Sequence, residues 1–279
     1  MHPILFDLGP FPLYSYGALM AVAFVLGMMV ALRRARWMGV DPQVVSDLAL
    51  YILLGIVAGA RLLHVITNWG AYQGHILDVF KVWEGGLAFH GGLIGAVTAC
   101  LLYLHHRRVS PWPVGDVIIP SVALGHAIGR IGCFLNGCCF GPETDLPWAV
   151  SFPPGSLASQ EQYGRDLLLS PACSSLPVHP TQLYSVLVLL LIFFVLLKLT
   201  RRARFPGEVF WSYGVLYGLA RFGLEMVRGD NPRVLLGLSL FQIISLVLAA
   251  GSALMLGYLR RRAGELHGPI YPASSRSAV

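Results

Sequence analysis

The chain has 279 residues, of which 56% are hydrophobic and only 12% charged, with 20 Lys and Arg against 14 Asp and Glu. A soluble domain carries charge on about a quarter of its residues, so an ordinary soluble fold is excluded. The net charge of +6 does not mark a nucleic-acid binder either, because the basic residues sit in short clusters beside long apolar blocks. That arrangement sets topology in a lipid bilayer and attracts anionic head groups.

Each apolar block is near the ~20 residues that cross a bilayer as helix, which predicts an all-α polytopic membrane protein with seven transmembrane helices. The first span covers 14–32 and stops at Arg33, Arg34 and Arg36. Because this basic cluster follows the block instead of preceding it, the block reads as a retained span and not as a cleaved signal. Asp41-Pro42 leads into the second span, 45–65, and the polar stretch from Asn68 to Glu84 precedes the third, 86–104. His105, His106, Arg107 and Arg108 close the third, and the fourth covers 114–132. Residues 133–180 are rich in Pro, Ser and Gly and too polar to span. The fifth span, 181–199, ends among Lys198, Arg201, Arg202 and Arg204; the sixth is 208–227 and the seventh, 240–259, meets Arg260, Arg261 and Arg262. Residues 1–262 are expected to form one transmembrane domain, with 263–279 a disordered cytoplasmic tail.

Thirteen of the twenty Lys and Arg residues fall beside the loops after spans one, three, five and seven, and four on the opposite side. By the positive-inside rule the N-terminus is outside and the C-terminus cytoplasmic. Arg61, Arg130, Arg221, His90, Tyr16 and His179 then all fall toward the outer side.

An in-span charge costs at least about 2.5–3.5 kcal/mol on insertion scales and needs a partner, a wet cavity or an anion. Arg130 stands in the stretch GHAIGRIGCFLNGCCFG, where Gly125, Gly129 and Gly132 leave one helical face open to a neighbouring helix or a ligand. Tyr217, Arg221 and Glu225 share one face of span six through their i, i+4, i+8 spacing. Three in-span arginines against one glutamate leave a positive surplus that an anion should fill. The guanidinium fork suits phosphate oxygens, and a phosphate at this depth belongs to a phospholipid. His90, set among glycines, is the side chain best suited to proton transfer near neutral pH. It could equally hydrogen-bond a neighbouring helix.

The five cysteines, Cys100, Cys133, Cys138, Cys139 and Cys173, are too odd in number for a fully paired framework. Cys133-x4-Cys138-Cys139 with a distant Cys173 matches no common zinc pattern, and adjacent cysteines are awkward for one tetrahedral ion. No metal is expected. A disulfide from Cys138 or Cys139 to Cys173 is expected instead, in a loop that faces an oxidising compartment.

Six segments in order make the chain resemble the bacterial phosphatidylglycerol–prolipoprotein diacylglyceryl transferases. They are Tyr14-Ser15-Tyr16-Gly17, Ala58-Gly59-Ala60-Arg61, Phe89 to Gly95, Gly129 to Gly141, His179 to Tyr184, and the face Tyr217-Gly218-x-x-Arg221-x-x-x-Glu225-x-x-Arg228. The resemblance implies seven spans in the inner membrane and a site open to the periplasm. It also implies two substrates, phosphatidylglycerol and a prolipoprotein signal peptide with its lipobox cysteine, and no cofactor. His90 is similar to the histidine proposed as general base, and Arg130 and Arg221 to the essential arginines. Tyr16, Asn136, Gly141 and Glu225 match positions that shape the site, and Arg61, Gly91, Gly92, His179 and Tyr217 are expected to bind substrate beside them. Departures fall at Cys133, Cys138 and Ser185, where many members carry Asn, Glu and Glu. A phospholipid-binding transporter without chemistry is the rival reading, distinguished by whether glycerol phosphate is released.

Overall fold

The computed structural model describes residues 4–7, 12–170, 172–228, 233–235, 237–264 and 270–271. In chain order its first elements are β1 (Ile4–Asp7), β2 (Pro12–Tyr14), α1 (Ser15–Met38), α2 (Pro42–Thr67), the single turn α3 (Trp69–Tyr72) and α4 (Phe89–His106). There follow α5 (Pro111–Asn136), α6 (Leu157–Gly164), α7 (Thr181–Thr200), α8 (Glu208–Val227), β3 (Arg233–Leu235), β4 (Leu238–Ser239) and α9 (Leu240–Ala263). Helices α1, α2, α5, α7 and α9 are long and apolar enough to cross a membrane. Helix α4 carries three histidines and α8 carries Glu208, Arg221 and Glu225, which keep both below that level of apolarity.

The fold is mainly helical, with two small additions that the all-α expectation lacked. Strands β1 and β2 form an antiparallel hairpin, with Ile4 opposite Tyr14, and β3 pairs with β4, with Arg233 opposite Ser239. The helices also overrun the expected spans: α1 continues through the basic cluster to Met38 and α5 ends only at Asn136. Lipid thickness limits the apolar stretch, whereas the i→i−4 ladder continues into polar surroundings when the residues are good helix formers. The boundaries follow local chemistry. Asp41 caps α2 by accepting from Gln43 N at 2.9 Å, with Pro42 in the first turn, and Ser239 and Gln242 form a capping box on α9.

The chain divides into two compact units, Arg34–Val114 and Met1–Arg33 with Gly115–Val279. In the Arg34–Val114 unit, α2 and α4 pack through glycines. A Cβ on Gly59 would stand 2.8 Å from Gly95 Cα, and one on Gly55 would stand 2.7 Å from Ala99 Cβ. Both helices carry the small-xxx-small spacing, Gly55/Gly59 and Gly91/Gly95, so the backbones meet with no side chain between them. At the far end of the pair, Tyr103 donates to Asp47 Oδ2 at 2.9 Å.

In the other unit α8 packs against α7 and α9. Its contact with α9 uses the same device, since a Cβ on Gly218 would stand 2.9 Å from Ala249 Cβ. The open face of α5 is covered by α1: Gly132 lies against Tyr16 and Gly129 against Met20. The N-terminus of α8 is capped from another helix, because buried Asp116 of α5 accepts from Gly207 N at 2.7 Å and Phe210 N at 2.8 Å. Residues 270 and 271 are held there as well. Ile270 N donates to Ala203 O at 2.9 Å, and buried Tyr271 donates to Asp116 Oδ2 at 2.9 Å. The remaining tail positions, 265–269 and 272–279, lie outside the described residues.

Residues 137–170 and 172–180 are mostly irregular, apart from α6, but gather around a small hydrophobic centre. Phe152, Ala158 and Val178 are buried together, flanked by Phe134, Phe140 and Val150. Buried Gln162 donates to Glu143 Oε1 at 3.3 Å and accepts from Leu176 N at 2.7 Å. The expected disulfide to Cys173 is not formed. All five cysteines are free and Cys173 is exposed. A hydrophobic centre and buried hydrogen bonds already hold the segment that the disulfide was to restrain. Replacing Gly59 with Leu is expected to pry α2 from α4 and to lower stability by more than the usual ~1–3 kcal/mol of overpacking, because backbone lies opposite. Thermal unfolding in detergent measures this; an unchanged midpoint would contradict the packing role.

Candidate functional site

A cleft between α5, α7 and α8 gathers polar side chains in an apolar setting. It is lined by His126 and Arg130 of α5, Ser185 of α7, and Tyr217, Arg221 and Leu224 of α8. The sequence places them there by period: 126 and 130 are one turn apart on α5, as are 217 and 221 on α8. The rings of His126 and Tyr217 lie 5.6 Å apart, and Tyr217 stacks on Tyr213 at 5.4 Å. His126 is not among the expected site residues, although its i, i+4 relation to Arg130 is visible in the motif. Ser185 donates to Thr181 O at 2.7 Å.

The arginines have different surroundings. Arg221 pairs with Glu225 at 2.6 Å and lies over the Phe241 ring, 5.5 Å from its centre. Buried Glu225 also accepts from Ser239 Oγ at 3.1 Å. Arg61 has no acidic partner among the described residues, yet its donors are used. Its Nε donates to Val79 O at 2.8 Å, Nη1 to Gly85 O at 2.8 Å and Gly86 O at 3.3 Å, and Nη2 to Asp78 O. It clamps the 78–86 segment onto α2, so carbonyl dipoles supply what the charge count assigned to an anion. Among the described residues, half-buried Arg130 makes no hydrogen bond and no salt bridge. The unsatisfied charge belongs to Arg130 alone of these three.

His90 lies in the first turn of α4, exposed, with the Phe89 ring edge-on at 5.7 Å. Gly91 is buried against α2, where a Cβ would stand 2.5 Å from Leu63 Cβ, and Gly92 is buried beside Ile56. Helix packing therefore accounts for both glycines. Tyr16 is exposed on α1, with its ring over Gly132. Asn136 is the last residue of α5. Gly141 N donates to His179 O at 2.9 Å, and a Cβ there would stand 2.8 Å from His179 Cβ. The His179 ring lies 3.2 Å from the Tyr184 hydroxyl, which accepts from Trp148 Nε1 at 2.7 Å. Thr181 Oγ1 donates to Cys139 O and Gln182 Nε2 to Cys138 O, each at 2.7 Å, so α7 grips the turn that follows α5. The Cys139 thiol is held below its ordinary range by hydrogen bonds with Cys133 and Cys138, and further by the charges of Arg130 and Arg228.

Residues 3–258 match the family model described as prolipoprotein diacylglyceryl transferase. The chain belongs to that family. A relative named phosphatidylglycerol–prolipoprotein diacylglyceryl transferase from Thermosynechococcus vestitus is 38% identical over 254 residues, 88% of each chain. One of the same name from Synechococcus elongatus is 34% identical over 291 residues, covering 99% of this chain and 95% of its own. A third, from Paraburkholderia phymatum, is 35% identical with 94% of each chain covered. In this prolipoprotein diacylglyceryl transferase Arg61 holds the 78–86 segment through backbone carbonyls. Arg61→Lys keeps the charge but loses the planar fork; faster hydrogen exchange across residues 76–88 is the expected result, and unchanged protection would refute the clamp.

Proposed function

We infer that the protein transfers the diacylglyceryl group of phosphatidylglycerol to the thiol of a prolipoprotein's lipobox cysteine, releasing glycerol phosphate. This is the first step of lipoprotein maturation. The observation that carries the reading, beside family membership, is Arg130: a permanent charge in a largely apolar cleft with no protein acceptor among the described residues. A phosphodiester supplies the acceptor, and the opening of the cleft between helices suits a lipid that arrives from the side. Arg221 keeps Glu225 on one edge and has further N–H donors for the same phosphate.

The proposed topology has seven spans, with α4 and α8 added to the five most apolar helices, the N-terminus periplasmic and the C-terminus cytoplasmic. The supporting pattern is the clustering of Lys and Arg after alternate spans. The enzyme is proposed to reside in the inner membrane, with chemistry toward the periplasm.

In the proposed reaction His90 accepts the thiol proton. The thiolate attacks the glycerol carbon that bears the phosphate ester, a C–S bond forms, and the C–O bond breaks with its electron pair leaving on glycerol phosphate. Arg130 and Arg221 stabilise the charge that grows on the departing phosphate. A free thiol has a pKa near 8.5, so only a few per cent is thiolate at neutral pH, and a base raises the reactive fraction. Tyr16, Asn136, Gly141, His179, Tyr217 and Glu225 are proposed to shape the substrate surface.

The purified protein mixed with phosphatidylglycerol and a lipobox peptide should release glycerol phosphate; a lipid-binding transporter would release none. Arg130→Lys should lower turnover by about 100-fold, the scale for losing one oriented donor, while insertion is unchanged. Near-normal turnover would remove the phosphate-clamp role. His90→Gln should abolish the acid limb of the pH–rate profile, because a neutral imidazole is needed on the basic side; a limb that survives assigns the base elsewhere. A reporter fused after Val279 should be active only in the cytoplasm and one near Ser159 only in the periplasm, and the reverse result overturns the topology.

A further inference from the structure

Cys133 and the adjacent pair Cys138-Cys139 come together at the end of α5. The Sγ atoms of Cys133, Cys138 and Cys139 all lie within 4.8 Å of one another. The cause is the way α5 ends. Gly137 takes φ +72°, its N–H donates to Phe134 O at 3.2 Å, and Cys138 N donates to Cys133 O at 3.1 Å. These two bonds form the Schellman motif, which brings the fourth-last helical residue beside the second residue past the end. In this chain those two positions are Cys133 and Cys138.

The adjacent residue Cys139 has φ +62°, a conformation that non-glycine residues rarely adopt. It returns a second neighbouring sulfur to the same side, which answers the sequence objection that adjacent cysteines are awkward for one ion. The carbonyls of Cys138 and Cys139 are both fixed by α7 through Gln182 and Thr181, so the turn is held before any ligand arrives. Among the described residues no His, Asp or Glu joins the group. The donor set is therefore sulfur only and three in number.

We propose that Cys133, Cys138 and Cys139 form a three-thiolate site for a thiophilic d10 cation, Zn2+, with one coordination position left for solvent or an added ligand. With Zn–S near 2.3 Å, the sulfur–sulfur edges of a tetrahedral site are about 3.8 Å. The observed cluster thus needs contraction of about 1 Å or less. All-sulfur ligation selects Zn2+ or Cu(I) over the hard cations. Binding replaces the thiol protons and releases them to solvent. The ion would join the last turn of α5 to the loop beyond it, one helical turn after Arg130, and so fix the end of the helix that carries the cleft arginine. The site lies outside the transfer chemistry, and its occupancy is read without turnover, so either reading can fail alone.

The test uses the full chain in detergent, purified without chelator, titrated with Zn2+ and then alkylated. Expected are one zinc per chain by elemental analysis and protection of three thiols, mapped by peptide mass spectrometry to 133, 138 and 139. Cys138→Ser should weaken Zn2+ binding by more than the about 10–100-fold typical of losing even an outer-shell partner. Cys100→Ser and Cys173→Ser should leave it unchanged. The wild-type protection map serves if Cys138→Ser does not fold. Protection of other cysteines, binding no tighter than in Cys138→Ser, Cu(I) retained with no Zn2+ binding, or a disulfide within the cluster would each overturn the site.

Discussion

A guanidinium stays charged in any surroundings, and inside an apolar helical protein its N–H groups call for acceptors or an opposite charge. Arg61, Arg221 and Arg130 meet this constraint in three ways. Arg61 is surrounded by backbone carbonyls from the 78–86 segment, so a charge is used to position a loop. Arg221 is neutralised one turn along its own helix by Glu225, which is itself fixed by Ser239. Arg130 has neither solution among the described residues and stands in a cleft with His126 and Tyr217. Scaffold and candidate site are therefore separated by how each charge is satisfied, more than by residue type.

Close backbone approach is what permits those arrangements. Gly55, Gly59, Gly91 and Gly95 bring α2 and α4 together, and Gly214 and Gly218 do the same for α8 on α9. Lipid tails are as apolar as leucine side chains, so helix association rests on packing and hydrogen bonds instead of on the hydrophobic effect. Glycine faces maximise the first. The same economy explains why Gly91, set beside a candidate catalytic histidine, lies directly against α2.

The main features are legible in the sequence for identifiable reasons. Apolar block length marks α1, α2, α5, α7 and α9, and i, i+4 spacing on one helix is enough to set Arg221 beside Glu225. Arg61 escapes such reasoning because its partners are carbonyls from a polar segment, and backbone acceptors leave no mark in a sequence. The cysteines escape it for a related reason. Their convergence depends on a helix-ending turn and one left-handed residue, Cys139, whereas the loop that seemed to need a disulfide builds its own centre around Phe152 and Val178. Asp116 carries no signal at all, since a lone acid near a helix start does not reveal that it caps a different helix.

That cap has a consequence for biogenesis. The amides at the start of α8 wait for a carboxylate from Asp116, 91 residues before Gly207, and the same carboxylate waits for Tyr271, 155 residues after it. During synthesis α5 can enter the bilayer long before Gly207 and Phe210 reach its acid, and α8 can follow before Tyr271 is made. The unit closes when the translated chain has passed residue 271, so its last fastening is made after every long helix has left the ribosome. Nascent chains stopped short of that point would carry a buried acid with one of its hydrogen bonds missing. Quality-control proteases would therefore meet a molecule complete in its spans and still open at the end that the proposed topology assigns to the cytoplasm.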